Sequence, residues 1–310
     1  MINIGVAGSP NHSRKYTDTL LNLTSFNLTG LFTGMQNSEN NPCSKNKKFV
    51  YSYDELIYSS DAILISGIDN HFFQYAAKAI KHAKHVFITS LVDHTLEEAN
   101  QLMKLADEAD VILQIGKTER FNPAFLAAYP YINTPNYIEI NKSVPPGECL
   151  SNHSLVMNNL TELLDIVFFT VKSNLMRVHT AGTPVYNHTN DIVNIRLEFD
   201  NTRVANITIN RVDGTHGLSS TFYQKKSIVR VDHVTQNATV SKHYQERKNP
   251  VVKEQILIVP NNPLEVELLN FHRNVTNHRN SIMFTGDDYK NLFAAHQVLE
   301  RLKRITASVE

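Results

Sequence analysis

Ile2-Asn3-Ile4-Gly5-Val6-Ala7-Gly8-Ser9-Pro10-Asn11-His12-Ser13 decides how the rest of the chain is read. An apolar run of strand length meets a glycine, and a polar stretch then leads into Leu20–Leu23. That order describes a buried strand turning directly into a helix. The alternation repeats downstream. Phe26–Thr33 reads as a second strand, Gln36–Lys48 as a polar loop, Phe49–Tyr51 as a short third strand and Tyr53–Tyr58 as a short helix. Asp61–Ser66 is a continuous apolar run suited to a parallel strand buried on both faces. His71–His82 sets Phe72, Phe73, Ala76, Ala77 and Ile80 on one helical face, and His85–Ile88 is a strand. Thr95–Ala109 is a helix whose Thr95 and Glu98 form a capping box, and Val111–Ile115 is a further strand. Strands separated by helical stretches predict right-handed β-α-β units and a doubly wound parallel sheet.

The pattern changes after Phe121. Pro123, Pro130, Pro135, Pro145 and Pro146 interrupt it, and His153–Thr170 follows as one long helix. The next stretch is strand-rich: Met176–Ala181, Ile192–Phe199, Val204–Arg211, Thr221–Tyr223, Ser227–Asp232 and Thr239–Lys242. Alternation in Ile192–Phe199 and Val204–Arg211, with Asp200-Asn201 between them, predicts an antiparallel hairpin with one wet face. Helices at Pro263–Val275 and Asp287–Ala307 close the chain. The expected division is an α/β domain over 1–121 and an α+β domain over 122–310, the second built on a large, mostly antiparallel open sheet.

Composition narrows the function classes. Thirty Lys and Arg balance thirty Asp and Glu over 310 residues. Nucleic acid and anionic membrane both demand a basic excess, so neither is an expected partner. Two Cys exclude a disulfide framework. The fourteen His show no metal-ligand spacing, so no metal is expected. No apolar run approaches the roughly 18–20 residues of a membrane span. With no basic segment before Met1–Ala7, the expectation is a soluble cytoplasmic protein. Glycine is scarce, at 11 residues, about half the usual share of roughly 7%.

That scarcity matters at Gly8, which stands where a dinucleotide fold sets its G-x-G-x-x-G turn. The second and third glycine positions read Pro10 and Ser13. Proline there adds a ring and removes an N–H donor. The second strand should end in an acid that grips a ribose; it ends Leu31-Phe32-Thr33-Gly34.

His85-Val86-Phe87-Ile88, then Thr95-Leu96-Glu97-Glu98-Ala99, then Ile115-Gly116-Lys117-Thr118-Glu119-Arg120-Phe121-Asn122-Pro123-Ala124 resemble the glucose–fructose oxidoreductase, inositol dehydrogenase and MocA family of NAD(P)-dependent oxidoreductases. The similarity is greatest to its UDP-N-acetylglucosamine 3-dehydrogenase-like branch. It extends through Asp191–Phe199 and Asn262-Pro263-Leu264-Glu265. The resemblance implies a Rossmann domain, a large sheet behind it, and dimers or tetramers through that sheet's outer face. It implies NAD or NADP as cofactor, near Gly8, Ser9, Asn11, Thr33, Ser66, His71, Arg120 and Asn122, and a sugar or nucleotide-sugar as ligand.

The family's chemistry uses a lysine in a Glu-Lys-Pro string and an Asp with a His four residues on. The matching positions here read Thr89-Ser90-Leu91, Asn158 and Glu162. Ser90 thus replaces the lysine, and a later acid persists as Asp165. Asn158, Glu162 and Asp165 lie at i, i+4 and i+7, on a helix face apart from the apolar stripe of Leu155, Val156, Leu160, Leu163, Leu164 and Val167. Two readings follow. The first is a catalytically impaired pseudo-dehydrogenase that binds a ligand or partner. The second is a divergent but active oxidoreductase with Glu162 and Asp165 as its acid and base.

Overall fold

The computed structural model describes residues 1–34, 52–67, 72–90, 95–145, 152–186, 190–244, 251–277 and 286–307. In chain order the first nine elements are β1 (Ile2–Gly8), α1 (Pro10–Asn22), β2 (Phe26–Phe32), α2 (Tyr53–Tyr58), β3 (Ala62–Ser66), α3 (Phe72–Lys81), β4 (His85–Ile88), α4 (Leu96–Glu108) and β5 (Leu113–Ile115). Their strands form a five-stranded, wholly parallel sheet in the order β2-β1-β3-β4-β5. All five residues of β3 are buried, as a strand covered on both faces requires. The capping box of α4 is present: Glu98 N–H donates to the Thr95 hydroxyl at 3.1 Å and Thr95 N–H to the Glu98 carboxylate at 2.9 Å. Phe49–Tyr51, expected as a strand, lies outside the described residues.

The following elements are α5 (Pro123–Ala128), β6 (Tyr137–Ser143), α6 (Asn152–Val171), β7 (Leu175–Thr183), β8 (Ile192–Phe199), β9 (Val204–Asn210), β10 (Gly217–Tyr223), β11 (Ser227–Asp232), β12 (Asn237–His243), β13 (Val251–Gln255), α7 (Pro263–Thr276) and α8 (Gly286–Ala307). The eight strands form a second sheet in the order β13-β12-β11-β10-β6-β9-β8-β7. All its neighbours are antiparallel except β6 and β9. The hairpin at Asp200-Asn201 is there, with Thr202 in the left-handed region at φ 64°. Two strands go beyond the sequence reading. One is β6, whose Ile138 and Ile140 alternate inward. The other is the edge strand β13, whose burial does not alternate clearly enough to mark it.

The chain divides into two units. One comprises Met1–Lys117 with Pro263–Tyr289, the other Thr118–Asn262 with Lys290–Glu310. The first is therefore discontinuous: α7, which a linear division at residue 121 assigns to the second part, packs into the first. Its Leu264, Leu268, Phe271 and Val275 join Ile4, Val6, Tyr16, Leu20, Leu64 and Phe87 in one apolar cluster. Phe271 meets Phe87 edge-on at 5.5 Å. Each such side chain contributes roughly 1.5–3 kcal/mol of apolar burial, so α7 is an integral layer of this unit.

Candidate functional site

In an open α/β sheet, ligands bind outside the carboxyl ends of the strands, where the strand order reverses. Here that point lies between β1 and β3. A Cβ on Gly8 would lie 2.0 Å from the Ser66 carbonyl oxygen, so only glycine fits where these strands meet. Gly67 has φ 53°, and a Cβ there would fall 2.5 Å from the His12 side chain. Between these two glycines the helix begins. Pro10 takes the first turn of α1, where its fixed φ suits a helix and its missing N–H would lack an intrahelical partner anyway. Ser9 is the N-cap residue, yet its side chain caps no backbone group. It pairs instead with His12 Nδ1 at 2.7 Å. The Ser9 N–H donates to the Gly67 carbonyl at 3.3 Å. Ser13, at the third glycine position, is buried and donates its hydroxyl to the Ser9 carbonyl at 2.8 Å. A small residue with a satisfied hydroxyl therefore serves the close packing a glycine would give.

This turn does not fit a pyrophosphate in the usual manner of its fold. Residue 10 has no N–H to offer, and that of Ser9 is committed to Gly67. Half-buried Thr33 follows β2 in place of the ribose-binding acid. Of the other residues expected at a cofactor, Ser66 is buried at the end of β3, Asn11 lies in α1, and His71 is outside the described residues. Beside the end of β2, Tyr75 meets Phe32 and Tyr53 edge-on, Phe32 and Tyr53 are tilted against each other, and the Tyr53 hydroxyl donates to the Tyr75 carbonyl at 2.7 Å. Burial pushes that phenol's pKa up.

At the carboxyl ends of β4 and β5 the register pairs Val86 with Leu113, Phe87 with Gln114 and Ile88 with Ile115. Pairing persists one residue further, because Gly116 N–H donates to the Ile88 carbonyl at 2.7 Å. Ser90 lies just past the end of β4 and is half-buried.

The Glu-Arg-Phe-Asn-Pro string starts the second unit. Glu119, Arg120 and Phe121 lie in a 3-10 turn, Thr118–Phe121, and Asn122 caps α5 by accepting the Ala124 N–H at 3.1 Å. Each polar side chain of the string is tied into this unit. Asn122 donates to the His233 carbonyl at 2.9 Å. Glu119 bonds His233 Nδ1 at 2.8 Å, and His233 Nε2 meets the Ser220 hydroxyl at 2.9 Å. Burial pushes the Glu119 carboxyl up, but the His233 hydrogen bond and charge, with Lys142 nearby, outweigh it and hold it below the usual range. The Glu119–His233–Ser220 chain has the connectivity of a hydrolytic triad, but Ser220 is only 1% exposed, so no substrate reaches it. Arg120 grips Asp165 through Nε and, at 2.7 Å, through Nη2, and its guanidinium lies 4.2 Å from the Phe169 ring centre. Asn291 donates to the same carboxylate at 3.3 Å.

Arg120 and Asn122, expected to border a cofactor, are therefore engaged in holding their own unit together. Asp165 is buried beneath Arg120, while Glu162 is half-buried on the same helix. The backbone of Asn158 belongs to α6. The sequence reading singled out neither His233, Ser220 nor Asn291. Each is an ordinary strand or helix residue until the fold brings it to the string. Among the described residues, no His, Cys, Asp and Glu cluster suited to a metal occurs, and no helix is long and apolar enough to cross a membrane.

Residues 2–117 match the model of an oxidoreductase family with an NAD-binding Rossmann fold. UDP-N-acetylglucosamine 3-dehydrogenase of Acidithiobacillus ferrooxidans is 24% identical over 162 residues, 52% of this chain and 52% of that protein. The matched stretch is thus about half that relative's length. Two solved structures of UDP-N-acetylglucosamine 3-dehydrogenase GnnA from the same organism superpose with TM-scores of 0.84 and 0.88. The first is 21% identical, over 96% of each chain; the second is 20% identical, over 98% of this chain and 99% of that one. A dehydrogenase from Chromobacterium violaceum gives 0.79 at 14% identity, over 100% of this chain and 99% of that one. At such identities the structures speak for the fold. Residues 2–117 are thus similar to the glucose–fructose oxidoreductase, inositol dehydrogenase and MocA family of oxidoreductases, described by its NAD-binding Rossmann fold.

Proposed function

We propose that this chain is a sugar- or nucleotide-sugar-binding homologue of the family that has given up the family's hydride transfer. The observation that carries the reading is the state of Asp165. The acid kept from the family's set is buried, gripped by Arg120 through two nitrogens and hydrogen-bonded to Asn291. A carboxylate so held has its oxygens committed to Arg120 and Asn291, as a structural group does. Positions 90, 158 and 162 carry Ser, Asn and Glu, so the proton relay expected of Glu162 and Asp165 loses one partner. The Pro10 turn supports the same conclusion for NAD or NADP.

The name of the similar dehydrogenase supports a nucleotide-sugar as ligand. Assembly through the outer face of the second sheet and residence in the cytoplasm belong to the same proposal. Light scattering on purified protein tests the former.

Calorimetric titration with UDP-N-acetylglucosamine and with NAD⁺, NADH, NADP⁺ and NADPH, beside a turnover assay, tests the function. The expected result is nucleotide-sugar binding without reduced nicotinamide. Loss of a general acid or base alone lowers rates by about 10²–10⁴-fold. Turnover at ordinary enzyme rates overturns the reading.

A further inference from the structure

α7 returns late in the chain to cover the first unit, and its His272 stands on that contact with no place for a charge. The ring meets Phe26 of β2 edge-on, with centres 5.4 Å apart. The residue is half-buried, but its Nε2 is shut from water and has no hydrogen-bond partner. A neutral imidazole tolerates this, because the ring proton stays on Nδ1 and Nε2 is then an idle acceptor. A protonated imidazole carries N–H on both nitrogens. Nε2 would become a buried, charged donor without an acceptor, which costs far more than an idle acceptor does. His233 of the second unit is built the other way: its Nδ1 has Glu119 at 2.8 Å and its Nε2 has Ser220 at 2.9 Å.

Among the described residues, the surroundings of His272 do not offset a positive charge. β1 and β2 carry no charged side chain. On α7, the Glu267 carboxylate accepts the Lys117 N–H, and Glu265 and Arg273 are exposed. On α1, which packs against α7, Arg14 pairs with Asp18 and Lys15 lies over the Tyr16 ring. Burial first, and repulsion from the Met1 ammonium second, hold the His272 pKa below its ordinary value.

We propose that His272 is a proton-sensitive latch, whose protonation weakens the hold of α7 on the first unit, so that mild acid uncovers the apolar cluster that Leu264, Leu268, Phe271 and Val275 close. Folding lowers the affinity of this ring for a proton. Its contribution to stability is therefore full above the unfolded pKa of about 6.5 and is lost as pH falls through the lower folded value.

Hydrogen exchange of the full chain, read by peptide mass at about pH 7.5 and about pH 5.5 and corrected for the intrinsic effect of pH, tests this. Amides of α7 are expected to exchange at least about threefold faster at the lower pH, while those of β10 and β11 keep their rates. His272→Leu and His272→Gln are each expected to abolish that acceleration. Deuterium uptake at the imidazole C2 reports the His272 pKa in the wild-type chain, so the test does not depend on the variants folding. A wild-type α7 that does not respond to acid overturns the proposal. So does a response that persists in a folded variant, one that β10 and β11 share in full, or a His272 pKa at or above about 6.5.

Discussion

The turn after β1 and the string before α5 compare in opposite ways with the family that the sequence resembles. The turn has lost two of three glycines, yet its geometry survives: Gly8 still lets β1 and β3 meet, Pro10 starts the helix, and Ser13 fills the third position with its hydroxyl satisfied. The string has kept its residues, and the structure shows each polar one engaged inside its own unit. At the turn the fold survives the change of residues, and at the string the residues present are accounted for by their contacts within the unit.

The comparison breaks most readily at Arg120. Arg120→Ala leaves Asp165 buried without its counter-charge. Removing one partner of a buried pair costs about 3–5 kcal/mol, to be read from urea unfolding; a cost under about 1 kcal/mol would mean that the string has work other than holding the unit. Gly8→Ala comes next. Its methyl must displace the Ser66 carbonyl, and overpacking of this kind costs about 1–3 kcal/mol. Pro10→Gly sharpens the other side. The loosened unfolded chain lowers stability by about 0.4–1 kcal/mol. The restored N–H is expected to tighten NAD⁺ binding about tenfold if residue 10 is the barrier, since a hydrogen bond to a charged group is worth about 1.5–3 kcal/mol.

The smallest effect is in the acid limb of stability. Folding lowers the Glu119 pKa, so this group's contribution is fully present above its unfolded value of about 4.3 and is lost as pH falls through the lower folded value. Glu119→Gln should flatten the stability curve in that acid window and leave its slope near neutrality unchanged. An unaltered acid limb would show that Glu119 and His233 are not coupled as drawn.

The first sheet was legible because its strands are short apolar runs between amphipathic helices, and period alone separates the two. The hairpin at Asp200-Asn201 was legible from its turn residues. β6 was missed although Ile138 and Ile140 alternate, because the surrounding prolines weigh against a strand in the middle of a sheet. The candidate site was legible only as identities. Ser90, Asn158 and Glu162 can be read off a row of letters, but the engagement of Arg120 with Asp165 spans 45 positions and that of Glu119 with His233 spans 114. No local pattern encodes such pairs.

That return of α7 bears on the order of events during synthesis. The amino-terminal strands leave the ribosome long before Leu264, Leu268 and Phe271 exist. Until then Phe87 and its neighbours lack part of their cover, and the stretch from Thr118 to Asn262 in turn awaits Lys290–Glu310. The segment made first is thus completed late, and a chain cut at residue 121 should be a sticky fragment rather than a free-standing nucleotide domain.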